Sequence, residues 1–279
     1  MKAMVFAAGL GTRLRPLTDE RPKALVTIAG RTLLDITLSR LRTFGVREVI
    51  VNVHHFADQV VAFLAANQNF GMRIEVSREE VLLDTGGGLK KAAWFFLESG
   101  ADEPFVIHNV DVLSTIDLAR MAQFHLQRNA LATLAVAERP TSRPLLFDAH
   151  SQLLGRGAVN ENLSASKYRW SPEPHIAAGG MDAASTAGQE TGGTLLETLA
   201  FAGIHVVSPR IFPKLEEDGT FSIIDAYLRL AKRGEAILGF RADGAYWRDL
   251  GRPDDLIAAD RDFVDGTYPA DSPSPSSGR

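Results

Sequence analysis

The chain has 279 residues, 45% of them hydrophobic, a formal net charge of -4 and no cysteine. That length suits one large α/β domain or a domain with a small appendage. The acidic balance excludes a general nucleic-acid binder, which needs a basic face, and the missing cysteines exclude disulfides, thiolate metal sites and cysteine nucleophiles.

The first stretch with a pattern runs from Val5 to Lys23 and reads VFAAGLGTRLRPLTDERPK. An apolar strand breaks there into a turn with glycine at positions 9 and 11, so backbone N–H groups can face an anion. Thr12 adds a hydroxyl, and Arg13, Arg15 and Lys23 add positive charge on long side chains. The apolar start is too short for a signal peptide and runs into Arg13, Arg15, Glu20 and Arg21. No apolar run reaches the ~18 residues of a membrane span, so the chain reads as cytoplasmic.

Beyond the turn, Ala24 to Ile28 is extended, and Leu33, Leu34, Ile36, Leu38, Leu41 and Phe44 recur at helical spacing up to Gly45. Glu48 to Val53 is a β-branched strand, Asp58 to Ala66 a helix and Arg73 to Ser77 a strand. A glycine loop over Asp84-Thr85-Gly86-Gly87-Gly88 leads into a helix from Leu89 to Glu98. Pro104 to His108 is a strand ending in Asn109-Val110-Asp111, Asp117 caps a helix, and Ala132 to Val136 is a further strand. Strands alternating with helices in this way describe βαβ units, a doubly wound Rossmann-like domain with its ligand at the carboxyl ends of the strands.

The second half is less regular. Leu145 to Phe147 and Gln152 to Leu154 form a small antiparallel hairpin, and 160–194 is an irregular insertion rich in Gly, Ala, Ser and Thr. Strands return at Leu199 to Val206, Ala236 to Phe240 and Ala245 to Arg248, with a last helix from Pro253 to Phe263. The expected organisation is a single domain over 1–263, with a nucleotide-binding half over 1–136 and a second half over 137–263. The segment 264–279, ending in Pro- and Ser-rich PADSPSPSSGR, is an expected disordered tail.

Asp111 ends a strand at the same sheet edge as the glycine turn, and Asp249 ends another in YWRDLGRP. Carboxylates beside a phosphate turn suit Mg²⁺, which takes one or two carboxylates plus phosphate oxygens and water. A strand-end Asp can equally cap the next turn, and consecutive glycines can equally be a flexible lead into a helix. The Walker pattern is absent because no Gly-Lys-Ser/Thr follows, and the dinucleotide fingerprint fails because Leu14 stands where its third glycine would. His54, His55 and His108 show no metal-ligand spacing and read as strand-end hydrogen-bonding residues.

The string G-x-G-T-R followed by Pro16 and Pro22-Lys23 resembles the signature of the sugar-1-phosphate nucleotidyltransferases, which make NDP-sugars from an NTP and a sugar 1-phosphate. The strand-end Asp111 and the late Trp247-Arg248-Asp249-Leu250-Gly251-Arg252-Pro253 element resemble the same family, although Val110 replaces its usual glycine. LLDTGGGLKKA is similar to the matching loop of the short N-acetylmuramate-1-phosphate uridylyltransferases of cell-wall recycling. The resemblance implies a mixed, GT-A-like sheet with catalytic Arg13, Lys23, Asp111 and Asp249, the two aspartates sharing Mg²⁺. It implies nucleotide contacts from Ala8, Gly9, Gly11, Thr12, Arg13, Thr85, Gly86, Gly87 and Asn109, and sugar contacts from Glu80, Phe201 and Gly203. Glu79 and Glu80 fall where that family places acidic residues near the sugar, and read equally well as solvated surface charges.

UTP is the favoured nucleotide, with guanylyl transfer to mannose- or heptose-1-phosphate as the rival. A non-catalytic nucleotide-sugar sensor is expected to lose a metal carboxylate or the Arg-Lys pair, and a glycosyltransferase to show a D-x-D metal motif; the chain keeps the former, and no D-x-D is obvious at a strand end. The family's Glu-Lys-Pro element, whose lysine meets the sugar phosphate, has no counterpart here; Lys167 is the substitute the sequence offers. Oligomeric state is not legible, because an apolar edge strand and a core strand look alike.

Overall fold

The computed structural model describes residues 1–98, 100, 102–157, 168–169 and 195–268. It opens with β1 (Lys2–Phe6), two 3-10 turns at Thr12–Leu14 and Lys23–Leu25, and the short hairpin β2 (Thr27–Ile28) and β3 (Arg31–Thr32). Next come α1 (Leu33–Thr43), β4 (Glu48–Val53), α2 (Ala57–Ala66), β5 (Arg73–Arg78), α3 (Asp84–Lys91) and α4 (Ala93–Leu97). The chain continues through β6 (Phe105–Asn109), β7 (Val112–Ser114), α5 (Leu118–Gln127), β8 (Ala132–Ala137), β9 (Leu145–Phe147) and β10 (Leu153–Arg156). It closes with β11 (Tyr168–Arg169), β12 (Leu195–Val207), α6 (Ile223–Lys232), β13 (Ile237–Arg241), β14 (Trp247–Asp249) and α7 (Pro253–Val264).

Helix starts follow the capping chemistry of the sequence. Thr32, Asp117 and Ser222 each accept a hydrogen bond from a first-turn backbone N–H, Asp117 from both Ala119 and Arg120. The main sheet runs β5-β4-β1-β6-β12-β8-β13, with β9 and β10 continuing from β12. β1, β4, β5 and β6 pair in parallel, as does β13 with β8, while β12 lies antiparallel between β6 and β8. The sheet is therefore mixed and mostly parallel, as expected from alternating strands and helices.

Period-two alternation sorts the strand residues between two cores. Ala3, Val5, Val49, Val51 and Val106 face a core with Leu34, Leu38, Leu41 and Val60; Met4, Ile50, Phe105 and Ile107 face the other, with Leu89, Phe95 and Tyr227. Burial on both faces is why these strands read as continuous apolar runs rather than alternating ones.

Three expectations are corrected. The glycines of DTGGG are not a loop ahead of Leu89: they lie inside α3, which begins at Asp84 and ends at Lys91, with α4 following a break at Ala92. Glycine disfavours helix, but here packing requires it. A Cβ on Gly86 would lie 2.2 Å from the Phe221 ring, and one on Gly87 2.3 Å from the Gly219 carbonyl oxygen. Second, folded structure passes the boundary expected at 263, because Val264 completes α7 and Tyr268 is buried against Tyr246 and Phe263. Third, the segment taken as irregular contains β11, paired with a β12 that begins at Leu195 instead of Leu199. The remainder of 160–194, Lys167 included, and the tail from 269 lie outside the described residues.

Candidate active site

The sheet's carboxyl edge is where β1 and β6 release the chain. β1 passes into the turn of Ala7 to Gly11, and Gly11 takes φ +65 before the 3-10 turn of Thr12–Leu14. Only glycine fits there without strain, and a Cβ would also stand 2.8 Å from Thr18 Cγ2. Gly9 differs: nothing within 4 Å would meet its Cβ, so the space beside it is open for a ligand.

Asp111 and Asp249 are far apart in sequence, and a short ladder unites them. β7 and β14 pair antiparallel with Asp249 opposite Val112, and the Leu250 N–H donates 2.8 Å to the Asp111 carbonyl. Lys23, only 7% exposed, donates from Nζ to Asp111 Oδ2. Burial raises the Asp249 carboxyl above its ordinary value, the nearby Asp111 charge adds to the rise, and Lys23 and Arg13 oppose it. Asp249 Oδ1 is shielded from solvent and has no hydrogen-bond partner. A Cβ on Gly251 would sit 2.7 Å from that oxygen and 2.6 Å from Arg13 Nη2, so Gly251 leaves room for both.

Two adjoining lobes share Gly9, Lys23, Leu82 and Asp111. The smaller, about 300 Å³, is lined by the glycine turn, Thr12, Arg13 and Gly251. The larger, about 370 Å³, runs past Phe6, Ala7, Ala8, Asn109 and Val110 to Asp84, Thr85 and Thr220. Their combined size matches a small-molecule site. The first lobe has the cations and backbone for phosphates; the second has apolar walls with a few polar groups at its far end.

The structure thus brings together Ala8, Gly9, Gly11, Thr12, Arg13, Lys23, Thr85, Asn109 and Asp111 along the cleft, with Asp249 beside Asp111. Gly86 and Gly87 line neither lobe; both are buried, and both backbone N–H groups point to the Phe221 carbonyl. Of the glutamates, Glu80 is exposed and lines neither lobe, while Glu79 is buried and lines the larger. Phe201 and Gly203 also line neither lobe. Phe201 packs edge-on to His205, and Gly203 takes φ +75 at a bulge of β12, where a Cβ would run into Val112 and Asn109.

Sequence reasoning missed the support beneath the cleft. Asn52 Oδ1 accepts from the Ala7 N–H at 2.8 Å, its Nδ2 donates to Glu79 Oε1 at 2.7 Å, and Glu79 Oε2 accepts from the Leu83 N–H at 3.0 Å. This buried chain ties the glycine turn to the start of α3. Its one sequence signal was an asparagine inside the apolar run EVIVNV.

The residues present fit Mg²⁺. Among the described residues no cluster of three or more His, Asp or Glu side chains is placed to hold a metal, so protein ligation would rest on Asp111 and Asp249, with the orphaned Oδ1 of Asp249 as a ready donor. Such a pair leaves positions for phosphate oxygens and water, as Mg²⁺ prefers.

Residues 2–147 match the family model described as nucleotidyl transferase. The chain belongs to the nucleotidyl transferase family. It is 34% identical over 261 residues to the N-acetylmuramate alpha-1-phosphate uridylyltransferase of Caulobacter vibrioides, covering 92% of this chain and 95% of that protein. It is 26% identical to mannose-1-phosphate guanylyltransferase 1 of Arabidopsis thaliana, over 95% of this chain and 65% of that one. The fold is also that of HddC from Yersinia pseudotuberculosis, solved in complex with GMP-PN, with a TM-score of 0.67 at 20% identity over 94% of this chain and 99% of that one. No helix among the described residues of this nucleotidyl transferase is long and apolar enough to cross a membrane.

Proposed function

We propose that the chain transfers a nucleotidyl group from an NTP to a sugar 1-phosphate, with UTP and N-acetylmuramate 1-phosphate as the preferred pair. The observation that carries this is the β7–β14 ladder, which sets Asp111 and Asp249 beside a glycine turn whose Lys23 is already paired with Asp111. The 34% identity to the Caulobacter vibrioides uridylyltransferase, along nearly the full length of both chains, supports the choice of base and sugar.

In the reaction a phosphate oxygen of the sugar 1-phosphate forms a bond to the α-phosphorus, and the bond from that phosphorus to the β-phosphate oxygen breaks. Pyrophosphate carries away the electron pair, and the chain forms no covalent bond. Positioning and charge neutralisation are then its whole contribution. The turn at Gly9 and Gly11 would seat the triphosphate through backbone N–H groups, and Arg13 in the smaller lobe would hold the departing β- and γ-phosphates. Lys23 would offset charge at the α-phosphate, where the bond forms. Asp111 and Asp249 would hold Mg²⁺, which when bound neutralises charge on the phosphate oxygens. The apolar walls of the larger lobe would take the nucleoside, with Asp84, Thr85 and Thr220 at its polar end.

Guanylyl transfer is the second reading, favoured by the similarity to the Arabidopsis thaliana guanylyltransferase. Incubation with Mg²⁺, each of the four NTPs and a panel of sugar 1-phosphates, read by pyrophosphate release, decides between them. Fastest release with UTP and N-acetylmuramate 1-phosphate is expected. Fastest release with GTP and mannose 1-phosphate would replace the first reading by the second, and no release with any pair would defeat both.

A further inference from the structure

The reaction proposed above needs an NTP held along its whole length, from triphosphate to base. We infer that Asn52 and Glu79 are positioning residues for the NTP, fixing the glycine turn and the start of α3 relative to each other, an inference that rests on the nucleotidyl-transfer reading.

β1 ends at Phe6, with Asn52 of β4 on one side and Asn109 of β6 on the other. The next peptide is held from both sides. Its carbonyl, that of Phe6, accepts from the Val110 N–H at 3.1 Å, and its N–H, that of Ala7, donates to Asn52 Oδ1 at 2.8 Å. The turn that carries Gly9 and Gly11 leaves from this fixed plane. At the other end, the Leu83 N–H donates to Glu79 Oε2 at 3.0 Å, just before α3 brings Asp84 and Thr85 to the polar end of the larger lobe. The 2.7 Å bond from Asn52 Nδ2 to Glu79 Oε1 joins the two. One pair of side chains therefore links the proposed triphosphate end of the site to its nucleoside end.

Two observations set this pair apart from ordinary packing. Asn52 is 2% and Glu79 4% exposed, and among the described residues Glu79 answers to hydrogen-bond donors and not to a cation. A buried carboxylate without a counter-cation is costly. What it provides is an acceptor on each oxygen for two converging donors, which a glutamine with its single oxygen does not offer. The second observation is Gly88, which lines neither lobe. A Cβ there would stand 2.8 Å from Glu79 Oε1 and 2.9 Å from Asn52 Nδ2, so the third glycine of α3 leaves room for this bond. Backbone donors held in advance cost nothing to order when the ligand arrives, and a small misplacement of them is expensive.

The test is a polarity swap. Asn52→Asp alone sets two carboxylates together, and Glu79→Gln alone leaves one of two buried donors without an acceptor. Combining Asn52→Asp with Glu79→Gln restores all three bonds with the central one reversed: the carboxylate at position 52 accepts from the Ala7 N–H and from the amide at position 79, whose oxygen accepts from the Leu83 N–H. Pyrophosphate release is measured with each substrate varied at saturating concentration of the other, using the pair that the wild type turns over fastest, and Tm is measured beside it. Each single variant should raise KM for the NTP by about 10- to 100-fold, with KM for the sugar 1-phosphate within about twofold of wild type. Gly88→Ala, which reaches the pair from outside the cleft, should raise KM for the NTP in the same selective way. The double variant should return it to within about threefold of wild type. Should a single variant fail to fold, the double variant and Gly88→Ala still decide.

An NTP KM unchanged in the folded single variants and in Gly88→Ala would overturn the inference while leaving the nucleotidyl-transfer reading intact. So would both KM values rising together with a fall in Tm, the signature of a packing role alone. A double variant with wild-type Tm but an NTP KM as poor as that of Glu79→Gln would overturn it too, because the charge at position 79 would then act on the ligand itself. If the wild type releases pyrophosphate with no substrate pair, the underlying reading fails and this inference with it.

Discussion

Asp111 and Asp249 are neighbours with unlike surroundings. Asp111 has Lys23 on one oxygen, whereas Asp249 is half-buried, faces a like charge and leaves Oδ1 shielded without a partner. Asp111→Asn keeps an oxygen to accept from Lys23 but removes the charge; turnover should fall by about 10²-fold or more with Tm little changed. Near-normal activity in that variant would remove Asp111 from the chemistry. Asp249→Asn should lose activity too, yet its effect on stability runs the other way. The folded-state carboxyl lies above its unfolded value, so ionisation works against folding, and the stability it provides when protonated is lost as pH rises through the folded value. In chelator at neutral pH, Asp249→Asn should melt above wild type, by about 2–4 °C for each kcal/mol relieved. The gap should close as pH falls below the ordinary carboxylate range. A lower Tm at neutral pH would contradict the burial argument. Both aspartates were legible in the sequence because each stands where a strand gives way to a turn. Asn52 was not, and Glu79 was legible only as an acidic residue near the sugar or at the surface, since a buried brace is defined by partners on other strands.

At the scale of elements, the β12 bulge backs Asn109, which lines the larger lobe. Gly203 takes φ +75, and a Cβ there would come 2.8 Å from Val112 Cγ2 and 3.0 Å from Asn109 Nδ2. Gly203→Ala should push on β7 and on Asn109 beside Asp111, lowering stability by about 1–3 kcal/mol and reducing turnover, as denaturant midpoints and initial rates would show. If neither moves, β7 can shift at no cost and the bulge does not set the position of Asp111. The elements themselves were largely legible: Glu48–Val53 matches its expected range, and α1, α5, α6 and α7 begin at caps or prolines written in the sequence. The start of α3 was not, because glycines argue against helix until Phe221 and Gly219 are seen packed onto them. Nor was the long-range insertion of β12 between β6 and β8, for which no local residue carries a signal.

At the scale of the molecule, three histidines sit neutral in the two cores. Burial lowers His108 and His125 to about 4 and His205 to about 3, where His205 Nδ1 meets the Tyr227 hydroxyl and His125 Nδ1 meets Thr133. Their folded values are depressed, so the unfolded chain binds more protons between pH ~4 and the ordinary histidine value of ~6.5, and stability falls as acid is added across that window. Each histidine should contribute a loss of about 1.5 kcal/mol between pH 6.5 and pH 5. Urea midpoints flat over this range would show that the histidines are wetter than their packing implies. The molecule as a whole is a buried sheet that brings two distant aspartates to one glycine turn, and its central claim is that this edge performs nucleotidyl transfer. The most direct measurement is pyrophosphate release with UTP, N-acetylmuramate 1-phosphate and Mg²⁺ by wild type beside Asp111→Asn. Pyrophosphate formed one-for-one with the UDP-sugar by wild type, and almost none by the variant, is the predicted result; equal release by both, or product without pyrophosphate, would contradict it.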